Sequence, residues 1–512
     1  MAVLVDPPQG DSAEGRSAVT APPAPGRLAE PLIPGGRVEA LMGRLIKVLS
    51  HSPFARPLPA VVLSALGLLG VAFVGLCATA PESSAATPPV LLPLTDLARN
   101  LGTPHLPNAL ADTLMYLSLV LCCLGLAMML WANSHGWAPS PRKVFGAAAA
   151  TVAVLVNITP VGSGDVASYA AYGRIAALGH NPYTFTPLDL PGGPGNPYTA
   201  IVSPQWRATP SVYGPVATWT QMLAAHLGGG RAWAAVWILM ILAGAAFLAT
   251  GYVLMRTAAN PVRAALLWTA NPILIVELVM AGHLDAFLAL VAIAAIALSR
   301  RRTGLGNTVL INTVFINDVL IGVLVGVGLA IKINAAFVAL GIAIPLLHDR
   351  AWVRLARTAS VAAVITAALY LLTWGLSALR PLSTASKLVI SPSVWRLTQE
   401  VVVHVWGTEA LHEVTTVFGF AWPPLVLALA WYLYNRLSPD VPTVLAATCA
   451  LTFAWVIVAP WSLPWYASIA WVTLALLPRN TLTRWLTIVT GGLSLLHFNG
   501  GFTINPKVGP TP

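Results

Sequence analysis

The chain has 512 residues, of which 57% are hydrophobic and 9% are charged, and its mean hydropathy is +0.75. Because about a quarter of the residues in soluble domains are charged, this composition excludes an ordinary soluble protein and indicates an integral membrane protein. The net charge of +10 does not indicate nucleic-acid binding, since the basic residues are scattered in twos and threes and form no continuous patch.

Both ends of the chain differ from its apolar middle. Residues 1–57 are rich in Pro, Gly and Ala with scattered charge, which is typical of a disordered tail. The first apolar segment begins only near Leu58, later than in a secretory signal, so cleavage is not expected. Residues 501–512 form a short C-terminal tail. The four cysteines all lie in apolar runs and are interpreted as core residues, without a disulfide framework.

Residues 58–500 contain the apolar segments, which predict an all-α polytopic membrane protein. Spanning a bilayer core takes about 20 apolar residues, and about thirteen segments qualify, several of them short enough to be tilted or broken. The predicted spans are 58–80, 111–133, 144–161, 233–255, 264–281, 284–299, 310–331, 333–348, 358–379, 414–435, 441–460, 465–478 and 485–498.

The positions of Lys and Arg predict the orientation, because cytoplasmic loops are enriched in them. With the N-terminal tail in the cytoplasm, 19 of the 28 basic residues fall in cytoplasmic loops. This topology makes 162–232 the first large extracytoplasmic loop and requires 213–228 to be a re-entrant or interfacial segment. It also places every polar cluster of chemical interest on the extracytoplasmic face.

The first of these clusters opens the loop, in the sequence GSGDVASYAAYGRIAALGHNPY at 162–183. Helical spacing puts Tyr169 and Tyr172 on the same face as Asp165 and puts Arg174 on the opposite face. We expect a helix at the membrane surface that holds the carboxylate toward a cavity. The residues alone leave two interpretations of Asp165 open, a functional carboxylate at the membrane edge and a helix N-cap.

The rest of the loop is rich in Gly and Pro. In GHNPYTFTP, His180 and Tyr183 could hydrogen-bond a sugar or simply form a turn. About 30 residues without periodicity follow, a length that is usually functional or disordered. The aromatic residues of this stretch, including Tyr213 in SVYGP, have the character of a substrate rim.

Four further clusters lie at later junctions between predicted spans. His283 and Asp285 in GHLDA could bind a metal, but a divalent site needs more ligands, so hydrogen bonding to a sugar, or His283 orienting Asp165, is preferred. Lys332 in IKIN and Arg396 in SVWRL could clamp a phosphate, or Lys332 could snorkel to the interface. Trp465 and Tyr466 could bind substrate or belong to an interfacial aromatic belt.

The motifs GDVASYAAYGRIAALGHNPY, SVYGP, GHLDA and PWYASIAW together resemble the actinobacterial membrane mannosyltransferases that use polyprenyl-phosphate mannose and build the α-1,6-linked mannan core of lipomannan and lipoarabinomannan. These belong to the GT-C glycosyltransferase superfamily. The resemblance covers roughly residues 58–500 and implies a GT-C-like bundle of transmembrane helices with extracytoplasmic loops and a surface helix.

The resemblance also implies an inverting mechanism at the extracytoplasmic face of the plasma membrane, with Asp165 as general base. Neither a cofactor nor a metal is expected, and the partners are the lipid-linked donor, the mannan glycolipid acceptor and the bilayer. The donor phosphate would be held by Lys332, Arg396 and Arg174. The remaining candidates would bind the sugar or acceptor: Tyr169, Tyr172, His180, Tyr183, Tyr213, His283, Asp285, Trp465 and Tyr466.

Two other functions use the same polar groups. A transporter or flippase for a lipid-linked sugar would line a passage with them, although no internal repeat of the kind common in transporters is found. A GT-C enzyme that uses a different polyprenyl-phosphate pentose or hexose is the second alternative, because sequence separates the sugars poorly.

Overall fold

The computed structural model of the protein describes residues 57–77, 90–300, 307–385, 389–390 and 393–497. These residues form helices and connecting turns and contain no strand, in agreement with the predicted all-α class. The predicted tails 1–57 and 501–512 lie almost entirely outside the described residues, apart from Pro57, which begins the first helix.

Twenty α-helical segments follow one another along the described chain. The first ten are α1 Pro57–Leu76, α2 Pro93–Asn100, α3 Asn108–Ser134, α4 Pro141–Leu155, α5 Asp165–Ala177, α6 Pro197–Ala200, α7 Pro215–Gly228, α8 Ala232–Thr257, α9 Pro261–Ala264 and α10 Pro272–Leu274. The others are α11 Asp285–Ser299, α12 Asn307–Ile331, α13 Ala336–His348, α14 Trp352–Leu371, α15 Arg380–Ala385, α16 Val394–Trp406, α17 Leu411–Tyr434, α18 Thr443–Val458, α19 Ser468–Leu476 and α20 Leu482–His497.

Six helices in the described part of the chain are long and apolar enough to cross a membrane, or seven if one bent pair counts as a single span. The predicted number of about thirteen spans is therefore not confirmed. The six are Pro57–Leu76, Asn108–Ser134, Ala232–Thr257, Asn312–Ile331, Trp352–Leu371 and Thr408–Tyr434. The other predicted spans form shorter helices; α19, for example, has nine residues and a length of roughly 14 Å, about half a bilayer core.

The bent pair is the predicted span 264–281. It consists of Pro261–Thr269 and Pro272–Met280, which meet at an angle of 40°, and each half ends in a π-helical turn. Proline at position 272 has no N–H to continue the helix, and the side chain of Asn271 caps the second half by accepting from the backbone of Ile273 and Leu274. The sequence Asn-Pro thus divides what the hydropathy alone presents as one segment.

The predicted helix at the start of the first loop is confirmed as α5, but most of its residues are buried within the protein, which differs from the surface helix that the sequence predicts. It packs against α7 and α8, so it is enclosed by the protein on most sides. The segment predicted to be re-entrant or interfacial forms α7, whose 14 residues extend roughly 21 Å, too short to span a bilayer core.

The periphery of the bundle is apolar. Helices α14 and α17 have little of their surface buried within the protein, with only 11% and 17% of their most apolar windows buried. Large side chains such as Val353, Phe420 and Trp431 are exposed there. Apolar surface of this extent is costly in water and is expected where a protein faces lipid, which agrees with the membrane class inferred from composition.

Candidate functional site

Four segments that are distant in sequence meet at one end of the bundle. They are the first turn of α5, the turn 282–284 before α11, the 3₁₀ turn Ile333–Ala335 with the preceding Lys332, and the 3₁₀ turn Pro464–Ala467. Contacts between Asp165, His283, Lys332, Asp285 and the aromatic pair 465–466 join these segments. The structure therefore brings together four of the polar clusters that the sequence places at separate junctions.

Asp165 is the first residue of α5, and Gly164 occupies the N-cap position. The carboxylate Oδ2 accepts a hydrogen bond from the Tyr169 hydroxyl at 3.2 Å, and the side chain is 29% exposed. The N-cap residue makes no side-chain cap bond, and the N–H of Asp165 donates to Oγ of Ser163 at 3.2 Å. The N-cap interpretation of Asp165 is thus not supported, and the carboxylate is available to a ligand on its exposed side.

His283 lies on the buried side of that carboxylate. Its Nδ1 is 3.6 Å from Oδ2 of Asp165 and 3.4 Å from the Tyr169 hydroxyl, while its ring stacks on Trp465 with a centroid distance of 3.6 Å. Burial lowers the pKa of His283 well below its ordinary value, so the imidazole is neutral. A neutral ring at this position orients the carboxylate and the hydroxyl without adding a charge.

The backbone before His283 depends on glycine. Gly282 has φ of +67°, a left-handed conformation that other residues adopt at a cost. A Cβ at this position would lie 2.9 Å from both Sδ of Met240 and Cγ2 of Val166. Gly282 therefore allows the turn to pack against α5 and α8 and to present His283 to Asp165.

Lys332 contributes the ammonium of the site. Its Nζ donates to Oδ2 of Asp285 at 2.8 Å and lies 3.8 Å from the centroid of the Tyr466 ring. Asp285 is fully buried, and the Lys332 side chain is 11% exposed. A buried carboxylate is stable as an anion only when it is paired, so this ion pair and the aromatic face together fix the ammonium.

The surroundings of Asp165 make its carboxylate a stronger base than an ordinary aspartate. Burial, the largest effect, raises the pKa of the Asp165 carboxyl, while the positive charge of Lys332 lowers it. A hydrogen bond from Tyr169 also lowers the pKa, and the negative charge of Asp285 raises it. The sum of these effects is a pKa above the ordinary value, which increases the driving force for accepting a proton.

Tyr213 completes the cluster from the second half of the first loop. Its ring meets that of Tyr169 edge-on, with the centroids 4.9 Å apart. The next residue, Gly214, donates its N–H to the carbonyl of Ile331 at 3.0 Å, which connects the Tyr-Gly-Pro turn to the backbone that carries Lys332. Tyr172 is buried on the same helix as Asp165 and donates its hydroxyl to the carbonyl of Thr209 at 3.1 Å.

Three predicted site residues have their principal contacts elsewhere. Arg174 lies over the Tyr198 ring at 5.7 Å, consistent with its position on the opposite face of α5. His180 is exposed and stacks on Phe185 at 4.4 Å. The buried Tyr183 hydrogen-bonds Thr218 at 3.0 Å, and this bond supports a structural role in the turn.

The remaining predicted cation, Arg396, is buried at the start of α16. Its Nε lies 3.5 Å from Oε1 of Glu400, one helical turn further on. Trp395, the preceding residue, donates its indole N–H to the carbonyl of Val458, which attaches α16 to the end of α18. In residues 57–77, 90–300, 307–385, 389–390 and 393–497, no group of three His, Cys, Asp or Glu side chains is arranged to hold a metal ion.

Sequence reasoning missed the residues that position the site. Gly214 and Gly282 stand within two of the quoted motifs, but their packing partners are 116 and 42 residues away. His497, whose ring meets Trp465 edge-on at 5.1 Å, lies at the end of the last helix. Glycine followed by a polar or proline residue at a span junction is a usable signal for the first two, whereas no local signal identifies His497.

Comparison with known proteins decides the family. A family model described as "Alpha-(1->6)-mannopyranosyltransferase, N-terminal domain" matches residues 64–349, more than half of the chain. The chain belongs to this family. The matched region contains Asp165, His283, Asp285 and Lys332 and ends before Trp465.

Two curated relatives of this mannopyranosyltransferase family member carry the same activity in their names. An alpha-(1->6)-mannopyranosyltransferase of Mycobacterium tuberculosis is 32% identical over 158 residues, which are 30% of this chain and 27% of the relative. Alpha-(1->6)-mannopyranosyltransferase A of Corynebacterium glutamicum is 30% identical over 143 residues, 27% of this chain and 28% of the relative. The alignments thus span little more than a quarter of each relative's length. No solved structure matches the chain.

Proposed function

We propose that the protein is an inverting membrane mannosyltransferase that moves mannose from polyprenyl-phosphate mannose to a 6-hydroxyl of an α-1,6-mannan acceptor in a cell-envelope glycolipid. The observation that carries the proposal is that one end of the bundle holds both a partly exposed carboxylate, Asp165, and an ammonium, Lys332, which Asp285 fixes, in a chain of the mannopyranosyltransferase family. Transfer from a phosphodiester donor needs a base for the attacking hydroxyl and a cation for the departing phosphate.

In the reaction, the acceptor O–H bond breaks and its proton passes to the Asp165 carboxylate. The acceptor oxygen forms a bond to C1 of mannose as the bond between C1 and the phosphate oxygen breaks, and the electron pair of that bond leaves with the polyprenyl phosphate. Attack on the face opposite the leaving group converts a β-linked donor into an α-linked product. His283 and Tyr169 hold the carboxylate in position on its buried side.

Lys332 is the phosphate-binding cation that the geometry favours. Its ammonium acts on the same neighbourhood as Asp165, because its charge is among the main influences on the Asp165 pKa. Arg396 is a second candidate, from the helix that is attached to the end of α18. Arg174 is the weakest, since its guanidinium lies over Tyr198 on the far face of α5.

The aromatic residues of the cluster give the site its sugar-binding character. Tyr213 and Tyr466 are partly exposed and can present ring faces and hydroxyls to a mannose unit. Trp465 is buried beneath His283, so its contribution is to support the imidazole. The donor's polyprenyl chain would lie against the lipid-facing helices. We place the N-terminus in the cytoplasm and the site on the outer face of the plasma membrane, as the distribution of basic residues predicts.

The test is sugar transfer by purified protein reconstituted in lipid, with polyprenyl-phosphate mannose as donor and a synthetic α-1,6-mannobioside as acceptor. Asp165→Asn keeps the shape and the bond from Tyr169 but removes the base, so we expect the rate to fall by about 10²-fold or more. Asp189→Asn is the matched control, because that carboxylate only caps a turn of the same loop through Thr186.

The outcomes separate the parts of the proposal. Product from the wild type and from Asp189→Asn, with none from Asp165→Asn, supports both the reaction and the base. Equal product from all three proteins overturns the role of Asp165. No product from the wild type with this donor, but product with another polyprenyl-phosphate sugar, overturns the assignment of mannose. No product with any such donor overturns the proposal that the protein is a glycosyltransferase.

A further inference from the structure

Asp285 has a position that direct sugar binding does not explain. It begins α11 and is fully buried, with no exposed surface through which a sugar hydroxyl could reach it. Its Oδ2 accepts from the Lys332 ammonium at 2.8 Å. In the described part of the chain its Oδ1 has no hydrogen-bond partner. The carboxylate is therefore held in the protein for its effect on Lys332 and on the charges nearby.

The titratable groups around Asp165 come from several elements. Two of them, Tyr169 and Tyr172, lie on α5, and the others are Tyr213, His283, Asp285, Lys332 and Tyr466. Burial raises the pKa of Tyr213 and of Tyr169 well above the ordinary value, so both are neutral, as is His283. The cluster thus contains two carboxylates and one ammonium, a net charge of −1 when Asp165 is ionised.

The Lys332 ammonium is in contact with Asp285 and also acts on Asp165 through its charge. An uncompensated cation near Asp165 would stabilise the ionised form and make it a weaker base. Asp285 lies closer to that cation than any other carboxylate in the described chain and offsets its charge. Without Asp285, Lys332 would act on Asp165 alone.

We propose that Asp285 is a positioning residue whose carboxylate fixes Lys332 and balances its charge, so that Asp165 stays basic enough to take the acceptor's proton. This inference rests on the proposed function of Asp165. A donor phosphate beside Lys332 would change the net charge of the cluster from −1 to −2. The proton affinity of Asp165 therefore rises when the donor is bound, at the stage at which a base is needed.

The test is the pH dependence of kcat/KM for the α-1,6-mannobioside in the reconstituted protein, with polyprenyl-phosphate mannose saturating. The rate falls on the acid side where Asp165 becomes protonated. Asp285→Asn removes the negative charge that raises the Asp165 pKa, so the acid limb moves to lower pH, and the maximal rate falls because the base is weaker.

Lys332→Met is expected to displace the acid limb in the opposite direction. It removes the charge that lowers the Asp165 pKa, and the acid limb moves to higher pH. The double variant Asp285→Asn/Lys332→Met removes both charges and leaves neither buried ion unpaired, so it folds even if a single variant does not. Its acid limb lies between those of the single variants and above the wild-type position, because Lys332 affects the Asp165 pKa more strongly than Asp285 does.

Asp318→Asn is the matched control. Asp318 is also a buried, ion-paired carboxylate, held by Arg354 and Arg357 at 3.0 Å each, but it lies on α12, 14 residues before Lys332, roughly 21 Å away along the helix. We expect this variant to lose stability and to keep the wild-type acid limb. A merely structural role for Asp285 would give the same result as Asp318→Asn.

The outcomes distinguish this inference from the proposed function. Opposite displacements in Asp285→Asn and Lys332→Met support it. If Asp285→Asn does not fold, a double variant whose acid limb lies below that of Lys332→Met supports it as well; if Lys332→Met does not fold, a double variant whose acid limb lies above that of a displaced Asp285→Asn does so. Acid limbs that coincide within about 0.2 pH unit in all variants overturn it, while an inactive Asp165→Asn leaves the proposed function standing. An Asp165→Asn protein with wild-type activity overturns the function itself.

Discussion

Replacement of Gly214 by alanine tests whether the Tyr-Gly-Pro turn positions the site. A Cβ at Gly214 would lie 2.2 Å from the carbonyl oxygen of Ala330, whereas ordinary contact begins near 3.4 Å. The obstacle is backbone, so the turn must move by more than 1 Å. That movement breaks the hydrogen bond from Gly214 N–H to the Ile331 carbonyl, next to Lys332.

The expected cost has two parts. Forcing a methyl group into packed structure costs about 1–3 kcal/mol, and the lost hydrogen bond costs about 1 kcal/mol. Gly214 itself has φ of −71°, which alanine adopts freely, so backbone strain adds nothing. A displacement of about 1 Å between catalytic groups can reduce a rate by about 10²-fold. We therefore expect a lower unfolding temperature and a 10- to 100-fold slower transfer.

The assays are thermal unfolding in detergent, followed by tryptophan fluorescence, and mannose transfer in liposomes. Two other glycines calibrate the result. Gly164→Ala meets only the Oγ of Ser203 at 2.7 Å, and this side chain can rotate away, so a small loss is expected. Gly195→Ala has no neighbour within 4 Å and should match the wild type. If Gly214→Ala behaves like Gly195→Ala, the close approach of the turn to Ala330 is wrong.

Two further substitutions examine the base and the packing of the bundle. Tyr169→Phe removes a hydrogen bond that lowers the Asp165 pKa, so the acid limb of kcat/KM should move to higher pH; an unchanged limb would contradict this bond. The buried Arg263 donates to the carbonyls of Leu474 and Leu477 and to the Thr483 hydroxyl. Arg263→Met leaves these acceptors unpaired and should cost about 2–4 kcal/mol in unfolding free energy. The exposed Arg484→Met serves as its control, and equal stability of the two variants would refute the account.

Much of the candidate site could be predicted because local patterns carry it. Helical spacing predicts both the helix that begins at Asp165 and the position of Arg174 on its far face, and the structure has both. Asp165, His283 and Lys332 each lie at a junction between apolar segments, and the structure brings these junctions together at one end of the bundle. Periodicity and span boundaries depend only on neighbouring residues, so one sequence suffices for them.

The details that give these residues their chemistry depend on long-range packing. Lys332 pairs with Asp285, 47 residues earlier, and no local pattern specifies that partner. Tyr183 is predicted to bind sugar but packs edge-on against Trp374, which comes from a turn 191 residues later. The predicted span count is not confirmed for a related reason: hydropathy measures composition, and an enclosed helix such as α19 is as apolar as one that crosses the bilayer.

The partial charges at the helix ends in this part of the bundle are opposite in sign to the side-chain charges beside them. Asp165 and Asp285 are each the first residue of a helix, α5 and α11, where unpaired N–H groups give a partial positive charge. Lys332 directly follows the end of α12 at Ile331, where unpaired carbonyls give a partial negative charge. Each such match contributes about 0.3–1 kcal/mol, and up to about 2 kcal/mol when partly buried. The fold therefore stabilises two anions and one cation in a small volume, and at Asp165 this backbone contribution opposes the effect of burial, which raises the pKa.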